Sequence, residues 1–455
     1  MEFLKDIALP QSIEHYKLVV LIAAISSVIF LPYIGFVLGS IALSFRYRTQ
    51  ARKGNNIQAL AIAYQLAEVP LKTKSVLVFL GIIPGASLVF SFAQMLQSTP
   101  AISVTLSGFG FLCVAMGLWL LYSYKQTFRI QGILSSYQTL LKTQKEKVET
   151  AAALEHYAAE NTQTFARSGT YGIILLLVGL FLFSAAFTLT ANPSSWQETD
   201  SIFGVLISLS VWIKFIVILT LSAGSTGFGV LYFIVSKSDN IQEASLAALK
   251  KIGVRFSVTA LLILPLMLLA QVASVSDEAM SGPLYSLTGV GLVLFFLAAH
   301  FLYGYQRSVN RQSATGGFFV FLLAASINIT VDSLAIGTAT RGHAVFLSVQ
   351  HEKKMEDLKA SLGVSIITFT GEDIYNAKCQ ACHLFDQKKV GPPYFETIPK
   401  YEGKKAELVS FILNPVKKDL AYPPMPNQGL RPAEADSVAS YIQRRVASLL
   451  SKSAK

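Results

Sequence analysis

The sequence predicts an all-α chain in which about eight membrane-spanning helices lead into a small helical C-terminal domain. Three observations carry this reading. Of the 455 residues, 52% are hydrophobic and only 14% are charged, against about 25% charged in an ordinary soluble chain. The apolar residues are gathered into runs long enough to cross a hydrocarbon core of about 30 Å. Beyond those runs the sequence turns polar and carries two cysteines three positions apart, Cys379 and Cys382. A soluble enzyme is excluded as the reading of the whole chain, and three cysteines are too few for a disulfide-built fold.

Apolar runs place the spans near residues 18–44, 76–96, 104–124, 170–190, 213–235, 257–275, 286–305 and 317–337. The first is too long for a cleavable leader and follows Glu2, Asp6 and Glu14, so it reads as a retained span. Lys17 and Lys214 are expected to flank the outer ends of spans 1 and 5. Residues 126–167 mix charge with apolar residues and predict a helical pair prolonging spans 3 and 4, and a polar helix is expected within 338–368.

Loop charge orients these spans. The four loops after spans 1, 3, 5 and 7 hold 18 Lys and Arg against 7 Asp and Glu, whereas the loops after spans 2, 4 and 6 hold no basic residue. Basic loops stay on the cytoplasmic side, so both ends of the chain are expected outside, on the periplasmic face of a bacterial cytoplasmic membrane. The inner loops alone account for the chain's net charge of +11. The excess is a topology signal directed at membrane lipid, and it supports no nucleic-acid partner.

The spans also repeat. Gly108 leading to Leu121-Tyr122-Ser123-Tyr124 recurs as Gly289 leading to Leu302-Tyr303-Gly304-Tyr305, both offset by 181 residues. Asn56-Ile57-Gln58-Ala59 recurs as Asn240-Ile241-Gln242-Glu243, and Ser75-Val76 before Pro84 as Ser257-Val258 before Pro265. A four-span unit returns to the same side, so the copies are parallel repeats, and two packed four-helix bundles are the expected architecture. The expected segments are 1–168 and 169–337 for the membrane repeats, 338–368 for a periplasmic linker helix and 369–455 for the C-terminal domain.

Cys379-Gln380-Ala381-Cys382-His383 is the attachment pattern of one c-type haem. Two thiols at this spacing add to the two vinyl groups on one porphyrin edge, and the adjacent imidazole is carried beneath the iron. A structural zinc site would need about four ligands, and the third cysteine, Cys113, lies inside span 3, where core packing is its expected role. Met425 is the only methionine after the motif and sits in Tyr422-Pro423-Pro424-Met425-Pro426. This proline-rich loop is suited to closing over the other haem face. His383 and Met425 are the expected iron ligands.

Residues 369–450 resemble a class I cytochrome c: Gly371-Glu372-Asp373-Ile374-Tyr375 leads into the haem motif, Gly391-Pro392 follows it, and Arg431 to Arg445 forms a last helix. The resemblance implies that Pro392 helps to hold the axial histidine and that the first and last helices cross beside the haem. It further implies that attachment occurs outside the cytoplasm, in agreement with the loop charges. Lys388 and Lys389, just after the motif, are either a basic rim for an acidic redox partner or a plain solvated face.

The membrane part says less. His300 in span 7 reads as a hydrogen-bonded structural residue, and no two histidines sit on facing spans as a b haem would require. Asn328 and Asp332, four apart on span 8, line either a polar path, a quinol pocket or a wet helix end. Phe30-Leu31-Pro32-Tyr33-Ile34-Gly35 and the tandem four-helix units resemble the large subunits of bd-type quinol oxidases, although span 1 lacks that family's haem-ligating histidines. The expected function is a membrane-bound c-type cytochrome moving electrons on the periplasmic side. It would belong to a respiratory quinol-oxidising or bd-like oxidase complex, with a periplasmic redox partner, other complex subunits and quinol as candidate partners. The alternative is a self-contained membrane dehydrogenase or oxidase, resembling in architecture the membrane-bound urate oxidases, with haem c as its electron outlet.

Overall fold

The computed structural model describes residues 10–54, 56–100, 102–143, 148–198, 201–236, 243–308, 310–362, 369–419 and 421–453. Among them there is no strand. Among the described residues eight helices are long and apolar enough to cross a membrane. They are α1 (Ile13–Gly54), α2 (Lys74–Met95), α3 (Ser103–Thr143), α4 (Val148–Thr190), α5 (Leu209–Val235), α6 (Glu243–Ala273), α7 (Gly282–Ser308) and α8 (Arg311–Ala339). Each contains one of the apolar runs, and α3 and α4 run on through the charged segment, as its mixed composition predicts. Among the helices that follow are α9 (Arg341–Ser361), α10 (residues 371–379), α11 (Lys405–Leu413) and α12 (Pro432–Ser453). The chain divides into two compact units, residues 20–338 and residues 1–19 with 339–455.

Small residues set the packing of the first unit. On α3 and α4, Gly110 faces Gly179 and Gly117 faces Gly172, so the antiparallel pair meets at a seven-residue glycine spacing; a β-carbon at Gly179 would come within 2.8 Å of the Gly110 carbonyl. On α1 and α5, Gly35 meets Ser222 and Gly39 meets Thr226. Both pairs advance together along the chain, so these two helices run parallel. Close backbone approach through small residues is how helices associate where lipid offers no hydrophobic drive. The outside is apolar: Phe109, Leu112, Met116 and Trp119 form an exposed stripe down α3, suited to acyl chains. The Asn240-Ile241-Gln242 copy of the repeat lies outside the described residues.

Lys214 departs from expectation. It is 6% exposed rather than a surface flank, because α5 begins at Leu209 and carries Lys214 a full turn into the helix.

The second unit is built around one core. Ile374 and Tyr375 of α10, Leu408, Val409 and Ile412 of α11, and Val438, Ala439 and Ile442 of α12 pack together. The helix between span 8 and the haem motif joins this core rather than merely linking, through Val345 and Val349 one turn apart on α9. The start of α1 belongs here too: Ile13 packs against the core, and His351 Nδ1 lies 2.8 Å from the Pro10 carbonyl.

Candidate functional site

The haem motif follows a helix that is firmly started. Thr370 accepts from the Asp373 amide while the Asp373 carboxylate accepts from the Thr370 amide at 2.9 Å, a reciprocal cap. The Thr370 hydroxyl, which also donates to the carboxylate at 2.6 Å, and then the Thr370 amide hold the Asp373 carboxyl below its ordinary range. α10 crosses α12 at Gly371, where a β-carbon would stand 2.3 Å from the Ser437 carbonyl, and Tyr375 and Tyr441 pack ring against ring at 5.7 Å. The first and last helices therefore cross at a position that admits only glycine.

α10 then widens into a single π-type turn, with Gln380 N donating to Tyr375 O five residues back. Cys382 N and His383 N both donate to the Cys379 carbonyl, at 3.1 and 2.9 Å. One turn therefore presents both thiols and the imidazole. Both sulfurs are unpaired, and burial pushes the Cys379 thiol up to about 11.

His383 is held on three sides. Its Nδ1 is 3.0 Å from the Pro392 carbonyl. A carbonyl can only accept, so Nδ1 carries the proton and Nε2 keeps a free lone pair, the arrangement a metal-ligating histidine needs. Tyr394 lies parallel to the ring with centroids 5.1 Å apart. Gly391 leaves room for its edge, since a β-carbon there would sit 2.2 Å from Cε1. The Gly391 amide ties back to the Cys382 carbonyl at 2.9 Å, and Tyr375 Oη donates to the His383 carbonyl at 3.1 Å. Two attachment thiols on one turn and an imidazole with Nε2 unencumbered fit a covalently held haem c.

Met425 is half-buried in the loop between α11 and α12. That loop is anchored by Asn427 Nδ2 donating to the Leu413 carbonyl and turns at Gly429, with φ of 65°. It reaches the segment after the motif, where Lys388 Nζ stands 4.7 Å from the Tyr422 ring centre. Lys388 and Lys389 are both exposed, and Lys389 Nζ donates to the Gln380 carbonyl.

Comparison with known proteins identifies this unit. Residues 369–442 match the family described as cytochrome C oxidase, cbb3-type, subunit III. Cytochrome c-552 of Hydrogenobacter thermophilus is 38% identical over 90 residues, which are 91% of that protein and 19% of this chain. The chain belongs to the class I cytochromes c. Cytochromes c-551 of Pseudomonas denitrificans and Azotobacter vinelandii, 37% and 33% identical over 78 residues, each match over 94% of their length and 16% of this chain. No solved structure matches the chain. The cytochrome c domain thus carries covalently bound haem c and transfers electrons, in a chain whose eight apolar helices make it a multi-pass membrane protein.

In the membrane unit the remaining sequence candidates fall in different places. His300 is exposed on α7, beside Phe301. Cys113 is half-buried on α3. Asn328 and Asp332 are both turned inward on α8, and Asp332 is joined there by two residues that sequence reasoning did not connect to it. Lys214 of α5 forms an ion pair with it, and Gln271 of α6 donates Nε2 to its carboxylate. A charged residue within an apolar run was the available signal, and proximity to the run's end disguised Lys214 as a flank.

Proposed function

We propose that this protein is a membrane-bound c-type cytochrome that carries electrons on the periplasmic face of the bacterial cytoplasmic membrane, as the electron-transfer subunit of a respiratory quinol-oxidising or bd-like oxidase complex. The observation that carries the reading is His383, its Nδ1 tied to the Pro392 carbonyl and its Nε2 left for iron beside Cys379 and Cys382. When bound, the haem supplies a one-electron Fe(III)/Fe(II) couple. Cys379 and Cys382 would hold it covalently, and His383, its ring fixed by Pro392, would ligate the iron through Nε2. Met425 would be the second protein ligand, a thioether that favours a high reduction potential. With two protein ligands the site would exchange electrons rather than do bond chemistry. Lys388 and Lys389 lie exposed beside it, where positive charge steers an acidic partner. The alternation of basic loops supports an outward-facing haem.

Right-side-out membrane vesicles test this reading. Ferricyanide, which does not cross the membrane, is expected to oxidise the reduced haem without detergent. A requirement for detergent would put the haem on the wrong side.

A further inference from the structure

One group of polar residues in the membrane unit has no part in holding haem. Where α4, α6 and α8 end and α5 begins, Lys214, Gln271 and Asp332 line a pocket of about 120 Å³, walled on its apolar sides by Phe187, Val275 and Ile336. An engineered apolar cavity of roughly 150 Å³ takes a benzene molecule, so this space is on the scale of one six-membered ring.

The polar side of the pocket is incomplete. A carboxylate only accepts, so the amide of Gln271 must turn its nitrogen to Asp332. This leaves Gln271 Oε1 buried, aimed away from Asp332 and without a hydrogen-bond partner, on a residue 5% exposed. Burying a charge pair in a bundle is costly, and apolar residues of similar volume would pack as well. An ion pair, an orphaned acceptor and a ring-sized space together call for a ligand that is apolar across its faces and donates hydrogen bonds from its edge.

A para-hydroquinone has that form. We propose that this pocket binds the head group of a membrane quinol, one hydroxyl donating to Gln271 Oε1 and the ring lying against Phe187, with the Asp332 carboxylate, held by Lys214, as the acceptor at the polar wall. The inference rests on the electron-transfer reading above and adds to it the place in the membrane unit, and the residues, at which quinol would bind.

Binding of decylubiquinol and of menadiol to the detergent-solubilised full chain tests it, by equilibrium dialysis under reducing conditions. At least one of the two is expected to bind, and Gln271→Leu is expected to weaken that binding about tenfold or more with the haem spectrum unchanged. A photoreactive azidoquinone should label wild-type peptides from α5, α6 or α8 around Lys214, Gln271 or Asp332, a result that does not depend on any variant folding. No binding by either quinol, binding indifferent to Gln271→Leu, or labelling confined to other helices would each overturn the site. A failure here leaves haem content and ferricyanide access intact, whereas failure of the electron-transfer reading shows in those two and not in dialysis.

Discussion

The haem motif of the cytochrome unit and the buried charged groups of the membrane unit are satisfied over different ranges of chain. Around the haem motif the partners are close in sequence: His383 to the Pro392 carbonyl spans nine residues, Tyr375 to the His383 carbonyl eight, and Thr370 with Asp373 three. For the buried charges of the membrane unit they are distant. Lys125 of α3 reaches the Leu71 and Lys72 carbonyls across 54 and 53 residues at 2.7 and 2.8 Å, and Gln271 reaches Asp332 across 61. Short-range partners are set by a turn and survive independent folding. Long-range partners exist only once the helices have assembled, so in the bundle a polar group reports on the packing of several spans at once.

The largest expected effect falls on the cytochrome unit's shortest motif. Cys382→Ala leaves one thiol where two are needed to clamp the porphyrin edge, and denaturing gels stained for haem peroxidase activity should show covalent haem sharply reduced. If the unit's chemistry is as local as its bonds, the variant still inserts eight spans. Next comes the bundle. Lys125 is 1% exposed, donates to both carbonyls and stands 3.4 Å from Glu68. Lys125→Met therefore takes one partner from the part-buried Glu68 and the side-chain donor from two carbonyls, a loss of roughly 1–3 kcal/mol. It should appear as earlier unfolding in detergent while the haem absorbance is unchanged.

Met425→Ala should keep covalent haem and lower the midpoint potential by on the order of 0.1 V or more, a modest part of the ~0.8 V that axial ligation spans. Spectroelectrochemical titration reads it, and an unchanged potential would remove Met425 from the iron.

The smallest effects separate two carboxylates at the start of α12. Burial pushes Glu352 of α9 up, although its carboxylate accepts from the Ala433 amide. Burial also opposes ionisation of Glu434, but there the bonds from Arg431, at 2.9 Å from its amide and 3.0 Å from its guanidinium, outweigh it and hold the carboxyl down. The signs are opposite. A raised folded-state value means stability falls as pH rises above the unfolded value of about 4.3, so Glu352→Gln should gain on wild type toward neutral pH. A lowered one gives stability that is present above about 4.3 and is lost as pH falls below it. Glu434→Gln should accordingly be weaker than wild type at neutral pH and converge with it in acid. Thermal unfolding followed by haem absorbance between pH 3.5 and 7 checks both.

The same difference in range explains what the sequence made legible. Each span is a local property, a run of apolar residues, and all eight runs coincide with helices. Cys379, Cys382, His383 and Pro392 lie within fourteen residues, and a fixed turn brings them together. Lys214 and Asp332 lie on helices separated by two others, and no spacing rule connects them. The part α9 plays in the cytochrome core was hidden for another reason. Its apolar face is short, confined to Ala344, Val345, Leu347 and Val349, and the charged run from Glu352 to Lys359 dominates its composition.

The central claim is that this chain carries one covalently held haem c, in its cytochrome c domain, and no haem within its spans. Haem quantitation on the purified full chain tests it most directly, by pyridine haemochrome with a reduced-minus-oxidised spectrum. The account predicts one haem c per chain and no b-type or d-type signal. A stoichiometric b haem, or absence of covalent haem in protein matured by an intact c-type attachment system, would contradict it.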